Sequence, residues 1–448
     1  MGKQLFGTDG IRGVAGEYPL DERTVYAFGM ALGSVACHLG RDPEVVIGMD
    51  TRESGPWLAN LVAGGLAARK VRTRFAGVVT TPGIAYLTRT DAFVAGVVIS
   101  ASHNPYRDNG LKVFGHSGYK LPDSEEHAIE EEIFRLVANG LDPVPEPLLE
   151  DSGLDQRYLD YLLSTLSFSL KGLNVVADCG NGAAYRLAPE LLRKAGATVE
   201  TMGAEPDGRN INLGCGALHV ESLRQRVIAA SADAGVAFDG DADRAIFVAA
   251  SGRIVDGDAV LLLSARAERA AGRLTGDTVV ATVMSNLGLE KALEREGVRM
   301  LRTPVGDKYV LEEMIRVGAA LGGEQSGHVI FRDYATTGDG LLTALRVFET
   351  ASCAGATLDE LTADLKVFPQ KLVNIPVREK RPLSEIPAVA EEIAAGEEVL
   401  NGSGRILVRY SGTESLARVM VEAEEQDLVD RVTERVASAI RREIGAEV

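Results

Sequence analysis

Residues 45–70, VVIGMDTRESGPWLANLVAGGLAARK, start as a run of β-branched apolar residues, break at a polar turn and continue as an amphipathic stretch. An apolar strand that leads through a polar turn into a helix is the mark of parallel α/β layers. The phrase recurs: NVVADCGNGAA (174–184) precedes APELLRKAG, and TVVATVMSN (278–286) precedes LEKALEREG. Three occurrences suggest three similar α/β units. In each, the polar residues fall at the C-terminal end of the strand, where open α/β sheets bind ligands.

Composition sets the boundaries. The stretch NGLDPVPEPLLEDSG (139–153) holds three prolines and little periodicity, and further breaks lie at SGRIVDGD (251–258) and VFPQK (367–371). They divide the 448 residues into domains of 1–150, 151–252, 253–369 and 370–448. After the last break the pattern changes to strand LVNIPV, helix EIPAVAEEIAAG, strands RILVRY and ARVMVEA, and a final helix over 427–444. The expected fold class is α/β, with three similar α/β domains built on mixed sheets and a smaller α+β domain at the C-terminus.

The formal charge of −17 repels a nucleic-acid backbone or an anionic membrane, so neither is expected as a partner. Cys37, Cys179, Cys215 and Cys353 are scattered without CxxC spacing, which fits a reducing cytoplasm better than a disulfide framework or a zinc site. The N-terminal MGKQLFGTDGIRG lacks the apolar stretch of a signal peptide, and no segment approaches the roughly 20 apolar residues of a membrane span. A cytoplasmic protein is therefore expected.

Four clusters carry chemistry. In VVISASHNPYRDNGLK (97–112) a buried strand stops at Ser100, Ser102 and His103, and the Asn-Pro and Asn-Gly steps turn these side chains outward. A hydroxyl so placed is a nucleophile, a phosphate carrier or a turn cap, and local chemistry does not choose Ser102 over Ser100. In FDGDADR (238–244), Asp239, Asp241 and Asp243 alternate so that three carboxylates can surround a hard cation, with Arg244 free for a phosphate oxygen. An EF-hand loop needs Gly and Glu where Arg244 and Ala250 stand, so calcium sensing is excluded and Mg²⁺ beside a phosphate fits. In GGEQSGHVIF (322–331), Glu324, Ser326 and His328 offer donors and acceptors for sugar hydroxyls or an amine. In RYSGTES (409–415), Arg409, with Arg418 beyond it, flanks a Ser411-Gly412-Thr413 turn suited to a phosphate dianion. No GxxxxGK[ST], GxGxxG or GxSxG marks nucleotide hydrolysis, dinucleotide redox chemistry or hydrolase chemistry.

With these clusters in this order, the chain resembles the α-D-phosphohexomutase superfamily. The resemblance rests on FGTDGIRG (6–13), GMDTRESG (48–55), ISASHNPYRDNGLK (99–112), DGDADR (239–244), PVGDKYV (304–310), GGEQSGH (322–328), TTGDG (336–340) and RYSGTES (409–415). FGTDGIRG and TTGDG point to its glucosamine phosphate branch rather than to those acting on mannose or glucose phosphates. The resemblance implies a heart-shaped, four-domain molecule with one motif from each domain in its cleft. It implies Ser102 as phosphoserine, one Mg²⁺ held by Asp239, Asp241, Asp243 and the Ser102 phosphate, and Arg12, His103, Lys112 and Arg244 as residues that steady the phosphoryl group or move protons. Glu324, Ser326 and His328 match the sugar loop, and Arg409, Ser411, Gly412, Thr413 and Arg418 the site of the resident phosphate. The implied reaction interconverts hexosamine 6- and 1-phosphates through a 1,6-bisphosphate, supplying UDP-N-acetylglucosamine and so peptidoglycan. Implied partners are the phosphosugar, an activating kinase as one route to the phosphoserine, and a second copy of the chain in a homodimer. Three departures bear on affinity: Ser415 where the family has Pro, Ala217-Leu218 where Ser-Thr is common, and Lys308 where Arg is frequent. The rival readings are a mutase for neutral hexose phosphates, a metal-dependent phosphatase and a non-catalytic phosphosugar-binding protein.

Overall fold

The structure, a computed structural model, describes residues 4–39, 42–411 and 415–446. Four sheets follow one another along the chain. The first holds β1 (Phe6–Gly7), β2 (Gly10–Val14), β3 (Glu44–Met49), β4 (Arg72–Val78), β5 (Ala95–Ile99) and β6 (Asp108–Gly115), in the order β1-β2-β6-β5-β3-β4. Strands β4, β3 and β5 run parallel, and β6, β2 and β1 add on antiparallel.

The period of two explains how this sheet is covered on both faces. Val45, Ile47, Val97 and Ile99 point into a core shared with helices Glu22–Leu39, Gly55–Ala68 and Asp123–Ala138. The alternate residues Val46, Gly48, Gly96 and Val98 face helix Thr81–Thr90. That helix lies so close that a Cβ on Gly96 would stand 2.1 Å from Thr88 Oγ1.

The second sheet comprises β7 (Asn174–Asp178), β8 (Thr198–Met202), β9 (Ala234–Phe238), β10 (Ala245–Ala249) and β11 (Ile254–Val255), ordered β11-β10-β9-β7-β8. The third comprises β12 (Thr278–Thr282), β13 (Arg299–Thr303), β14 (Leu321–Gly323) and β15 (Val329–Phe331), ordered β13-β12-β14-β15. In all three sheets the first long strand (β3, β7, β12) lies between the next two in sequence. A fourth strand (β6, β10, β15) then folds back antiparallel on the third. The repetition suggested by the sequence is thus a repetition of strand order. Each site loop is the turn between third and fourth strands: 100–107, 239–244 and 324–328.

Chain packing divides the described residues into two compact units, one from 1–284 and 300–363, the other from 285–299 and 364–448. The second unit is the smaller α+β domain. Its antiparallel sheet has β18 (Leu416–Ala423) between β16 (Gln370–Pro376) and β17 (Gly404–Tyr410), and helices Pro387–Leu400 and Gln426–Ile444 close a core around Val419, Val421, Val436 and Ile440. Helix Leu287–Arg295, which the sequence pattern groups with β12, packs in this unit. Leu287 N donates to Glu422 Oε1 at 3.0 Å, and the Asn286 amide brackets Phe368 with bonds of 3.0 and 2.9 Å. Among the described residues, no helix is long and apolar enough to cross a membrane.

In the first unit a buried carboxyl anchors the TTGDG segment. Asp339 caps helix Gly340–Ala354 by accepting from Leu342 N at 2.9 Å, and it accepts from Tyr158 Oη at 2.8 and 2.9 Å. Burial raises its pKa to about 6, despite the bonds that favour the anion. Because the folded value lies above the ordinary 3.8, ionisation costs stability. That cost is absent below about pH 4 and complete above about pH 6, and a shift of this size corresponds to about 3 kcal/mol. Lowering the pH from 7 to 4 is therefore expected to move the stability difference between wild type and Asp339→Asn by up to about 3 kcal/mol in favour of wild type. Urea unfolding at the two pH values measures this, and a difference that stays constant would contradict it.

Candidate active site

Strand β5 delivers two serines with different fates. Ser100 Oγ donates to Asp50 Oδ2 at 2.6 Å and accepts from Ser102 N at 2.9 Å, so its hydroxyl is spent holding the turn. Ser102 turns the other way. Its backbone takes φ +52°, a left-handed conformation that costs a non-glycine residue about 1–3 kcal/mol. Its Oγ donates to Asp239 Oδ2 at 2.5 Å and lies 3.3 Å from His103 Nδ1. The choice that local sequence leaves open is made by this difference in orientation.

Arg52 holds the strained turn. Its guanidinium is fully buried, pairs with Asp50 at 2.8 Å and donates to the carbonyls of Ser102 (3.0 Å), Asn104 (2.8 Å), Asp108 (3.0 Å) and Pro105. Asn212 Nδ2, from the segment after β8, donates to the same Ser102 carbonyl at 3.0 Å. The loop is fixed by charge-assisted bonds to its backbone, which leaves the Ser102 hydroxyl unconstrained by its own main chain.

The turn from β9 to β10 brings Asp239, Asp241 and Asp243 together, with one carboxylate oxygen from each within 4.8 Å of the others and all three residues buried. Asp241 Oδ2 accepts from Lys112 Nζ at 2.7 Å and from Thr81 Oγ1 at 2.6 Å. Asp241 Oδ1 and Asp243 Oδ1 are buried and, among the described residues, accept no hydrogen bond. Burial, then repulsion by Asp243 and Asp241, pushes the Asp239 carboxyl well above the usual range. At Asp243 burial acts the same way, but His328, Lys112 and Arg244 outweigh it and hold the group low. Orphaned oxygens amid mutually repelling carboxylates are what a hard divalent cation satisfies, so the donor set fits Mg²⁺.

Cations ring the triad. Lys112 is 1% exposed, and although burial disfavours its charge, Asp241 and Asp9 (2.9 Å) hold the ammonium well above its ordinary value. It therefore stays protonated at pH 7, a fixed positive charge rather than a base. Arg12 pairs with Asp9, and Arg244 places Nη1 3.2 Å from His103 Nδ1. Burial, Arg244 and Arg12 together lower the His103 pKa to about 4, so its ring is neutral at pH 7 and can accept a proton.

The turn from β14 to β15 closes the cleft. Glu324 accepts from Gly306 N at 3.1 Å and from Ser326 Oγ at 3.4 Å, and Ser326 itself is exposed. His328 is 2% exposed, with Nδ1 3.6 Å from Asp243 and Nε2 accepting from Gly338 N at 3.0 Å. Burial lowers its pKa, whereas Asp243, Asp307 and Glu324 push it up to about 9; the Gly338 N–H, which needs a bare Nε2, works against that second proton. The imidazole thus backs Asp243 as well as lining the cleft, a space of about 410 Å³ bordered by Arg12, His103, Asp243, Arg244, Glu324 and His328.

In the second unit, Arg409 and Arg418 sit directly opposite each other on β17 and β18, and Arg418 Nη2 donates to Ser411 Oγ at 3.4 Å. Burial and the neighbouring Arg418 lower the Arg409 pKa. Two like charges across a ladder destabilise each other until an anion lies between them. Gly412 and Thr413 lie outside the described residues.

Four segments match the phosphoglucomutase/phosphomannomutase family: α/β/α domain I over 3–139, II over 156–252, III over 256–368 and the C-terminal domain over 372–439. Phosphoglucosamine mutase of Solibacter usitatus (strain Ellin6076) is 65% identical over 445 residues, covering 99% of this chain and 100% of that one. That of Bacillus subtilis (strain 168) is 46% identical over 454 residues, with both chains covered completely. The chain belongs to the phosphoglucosamine mutase family. It is an intramolecular phosphotransferase of the phosphohexomutase superfamily. The fold is also shared with Aspergillus fumigatus N-acetylphosphoglucosamine mutase, solved in complex with GlcNAc-6P and magnesium. The TM-score is 0.64 at 18% identity, over 98% of this chain and 96% of that one.

Several residues of this phosphoglucosamine mutase family site escape a reading of the sequence: Asp50, Arg52, Thr81 and Asn212. GMDTRESG carries the first two, but nothing local says that their partners lie about 50 residues downstream. Arg52→Lys keeps the charge and loses the fork, so mutase activity is expected to fall about 100-fold while the protein stays folded. Initial rates and circular dichroism check this. Magnesium at about 100 times its Kd should stabilise the chelator-treated protein by about 2.7 kcal/mol. Thermal unfolding reads that gain, and Asp241→Asn should abolish it.

Proposed function

We infer that the protein interconverts glucosamine 6-phosphate and glucosamine 1-phosphate through phosphorylated Ser102 and a glucosamine 1,6-bisphosphate. The observation that carries this is the Ser102 hydroxyl, turned from its own backbone onto Asp239, in a chain alike over its full length to phosphoglucosamine mutases. The free hydroxyl of the sugar attacks the phosphorus on Ser102. The new P–O bond forms as the bond to Oγ breaks, and the hydroxyl proton leaves to a neutral acceptor, the role we assign to His103, which passes it on to the departing Ser102 Oγ 3.3 Å from its Nδ1. The bisphosphate then reverses in the cleft, and its other phosphoryl group returns to Ser102.

Arg12, Arg244 and Lys112 are fixed cations about the transferring group, where preorganised charge lowers the barrier most. Asp239, Asp241, Asp243 and the phosphorylated Ser102 would hold one Mg²⁺, which supplies Lewis-acid neutralisation of phosphoryl oxygens. Glu324 and Ser326, with His328 behind them, read the sugar. Arg409, Ser411 and Arg418, with Gly412 and Thr413, take the phosphate that is not being transferred. A phosphosugar and magnesium in the Aspergillus fold relative agree with this assignment. The product supplies UDP-N-acetylglucosamine synthesis in the cytoplasm. Three routes to the first phosphate on Ser102 stand beside this reading: an activating kinase, a bisphosphate sugar and the protein itself.

With Mg²⁺ and a trace of hexose 1,6-bisphosphate, kcat/KM should favour glucosamine 6-phosphate over glucose and mannose 6-phosphates by at least about 100-fold. Ser102→Ala should lose turnover by more than about 1,000-fold. Equal use of the three sugars would move the protein to the neutral hexose branch, and release of free phosphate without isomerisation would make it a phosphatase.

A further inference from the structure

Lys120 belongs to none of the clusters considered so far, yet it joins two of them. It follows the turn after β6, its side chain is 16% exposed, and its Nζ donates to Asp9 Oδ1 and to Asp307 Oδ2, both at 2.6 Å. Asp9 lies in the two-residue turn between β1 and β2, and Asp307 opens helix Asp307–Val317. Burial disfavours the Lys120 charge, but Asp307 and Asp9 outweigh it and keep the ammonium form.

The Asp9 carboxylate is shared in a particular way. One oxygen goes to Lys120, and the other meets Lys112 Nζ at 2.9 Å and the Arg12 guanidinium. The chain of alternating charges therefore runs Asp307, Lys120, Asp9, Lys112, Asp241, from the sugar side of the cleft to the triad. Without Lys120, Asp9 would keep one set of cations and lose the other, and would be free to rotate away from the position that aims Lys112 and Arg12.

We propose that Lys120 is a positioning residue for phosphoryl transfer, clasping Asp9 to Asp307 so that Asp9 fixes Lys112 and Arg12 at the transferring group. This rests on the mutase reading above. Neighbouring contacts hold the Lys120 segment to the Asp307 side independently, since Thr336 Oγ1 donates to the Gly118 carbonyl at 2.6 Å and Lys308 pairs with Asp123, while strand pairing of β1 with β2 and of β2 with β6 holds the Asp9 turn. The clasp can thus be broken without separating the segments it joins.

The test compares Lys120→Met, Lys120→Arg, Asp307→Asn and the double variant Lys120→Met/Asp307→Asn with wild type on glucosamine 6-phosphate, with thermal midpoints measured alongside. Lys120→Met should lower kcat about 10- to 100-fold while KM changes less than about 3-fold. Lys120→Arg, still able to bridge two carboxylates, should recover most of the loss. The double variant should be no worse than the poorer single variant, because both substitutions break one linkage. Asp123→Asn, which opens the neighbouring ion pair, should leave kcat within about 2-fold of wild type. A folded Lys120→Met with wild-type kcat, or losses that multiply in the double variant, would overturn the proposal. If Lys120→Met does not fold, Asp307→Asn decides: a kcat loss at an unchanged midpoint supports the clasp, and retained kcat removes it. Absence of turnover in wild type would instead refute the mutase reading itself.

Discussion

The buried pair of Arg52 with Asp50 is the constraint on which the site depends. A guanidinium excluded from water must have its charge and its donors satisfied, and here the carboxylate takes one edge while four loop carbonyls take the rest. Those carbonyls cannot all point inward unless the chain between β5 and β6 curls tightly, which sets Ser102 in a left-handed conformation. The strain is local, and its compensation lies in a strand end about 50 residues upstream. Asp50 in turn anchors Ser100, so one ion pair decides which serine faces the triad.

A second ordering principle is the repeated strand order. In each of the first three sheets the third strand ends where its antiparallel neighbour begins, with a turn and no helix between them in sequence. Helix N-termini meet two of these turns, Gly340 N donating to the Ala242 carbonyl and Gly257 N to the Gln325 carbonyl, both at 3.0 Å, which satisfies buried backbone groups while the polar side chains project. One repeat uses the turn for a hydroxyl, the next for three carboxylates, the third for a glutamate and an imidazole. Unlike chemistry at equivalent positions lets a single architecture assemble a site of mixed charge.

The three loops were legible in the sequence because each interrupts an apolar run with residues too polar and too close together for a core: Ser102-His103, Asp239 to Asp243, Glu324 to His328. The general architecture followed from the recurring strand-turn-helix phrase. What remained hidden are residues whose function lies in a distant partner. Thr81 bonds Asp241 across 160 positions and Asn212 bonds Ser102 across 110, and neither has a local pattern that sets it apart. The affiliation of helix Leu287–Arg295 was hidden for the same reason, since its amphipathic pattern is satisfied by any apolar surface.

That helix also changes how the chain can be divided. Because residues 285–299 pack with 364–448, the backbone passes between the two compact units three times rather than once. The smaller unit is therefore not a contiguous appendix. Removing everything after residue 369 would strand Leu287 without Glu422, and expressing 370–448 alone would leave the Glu422 carboxylate with no Leu287 amide to bind. In modular terms the last domain is interleaved with its predecessor. Exchange of this domain between relatives by a single crossover would leave that seam mismatched, so the two segments are inherited best as a pair.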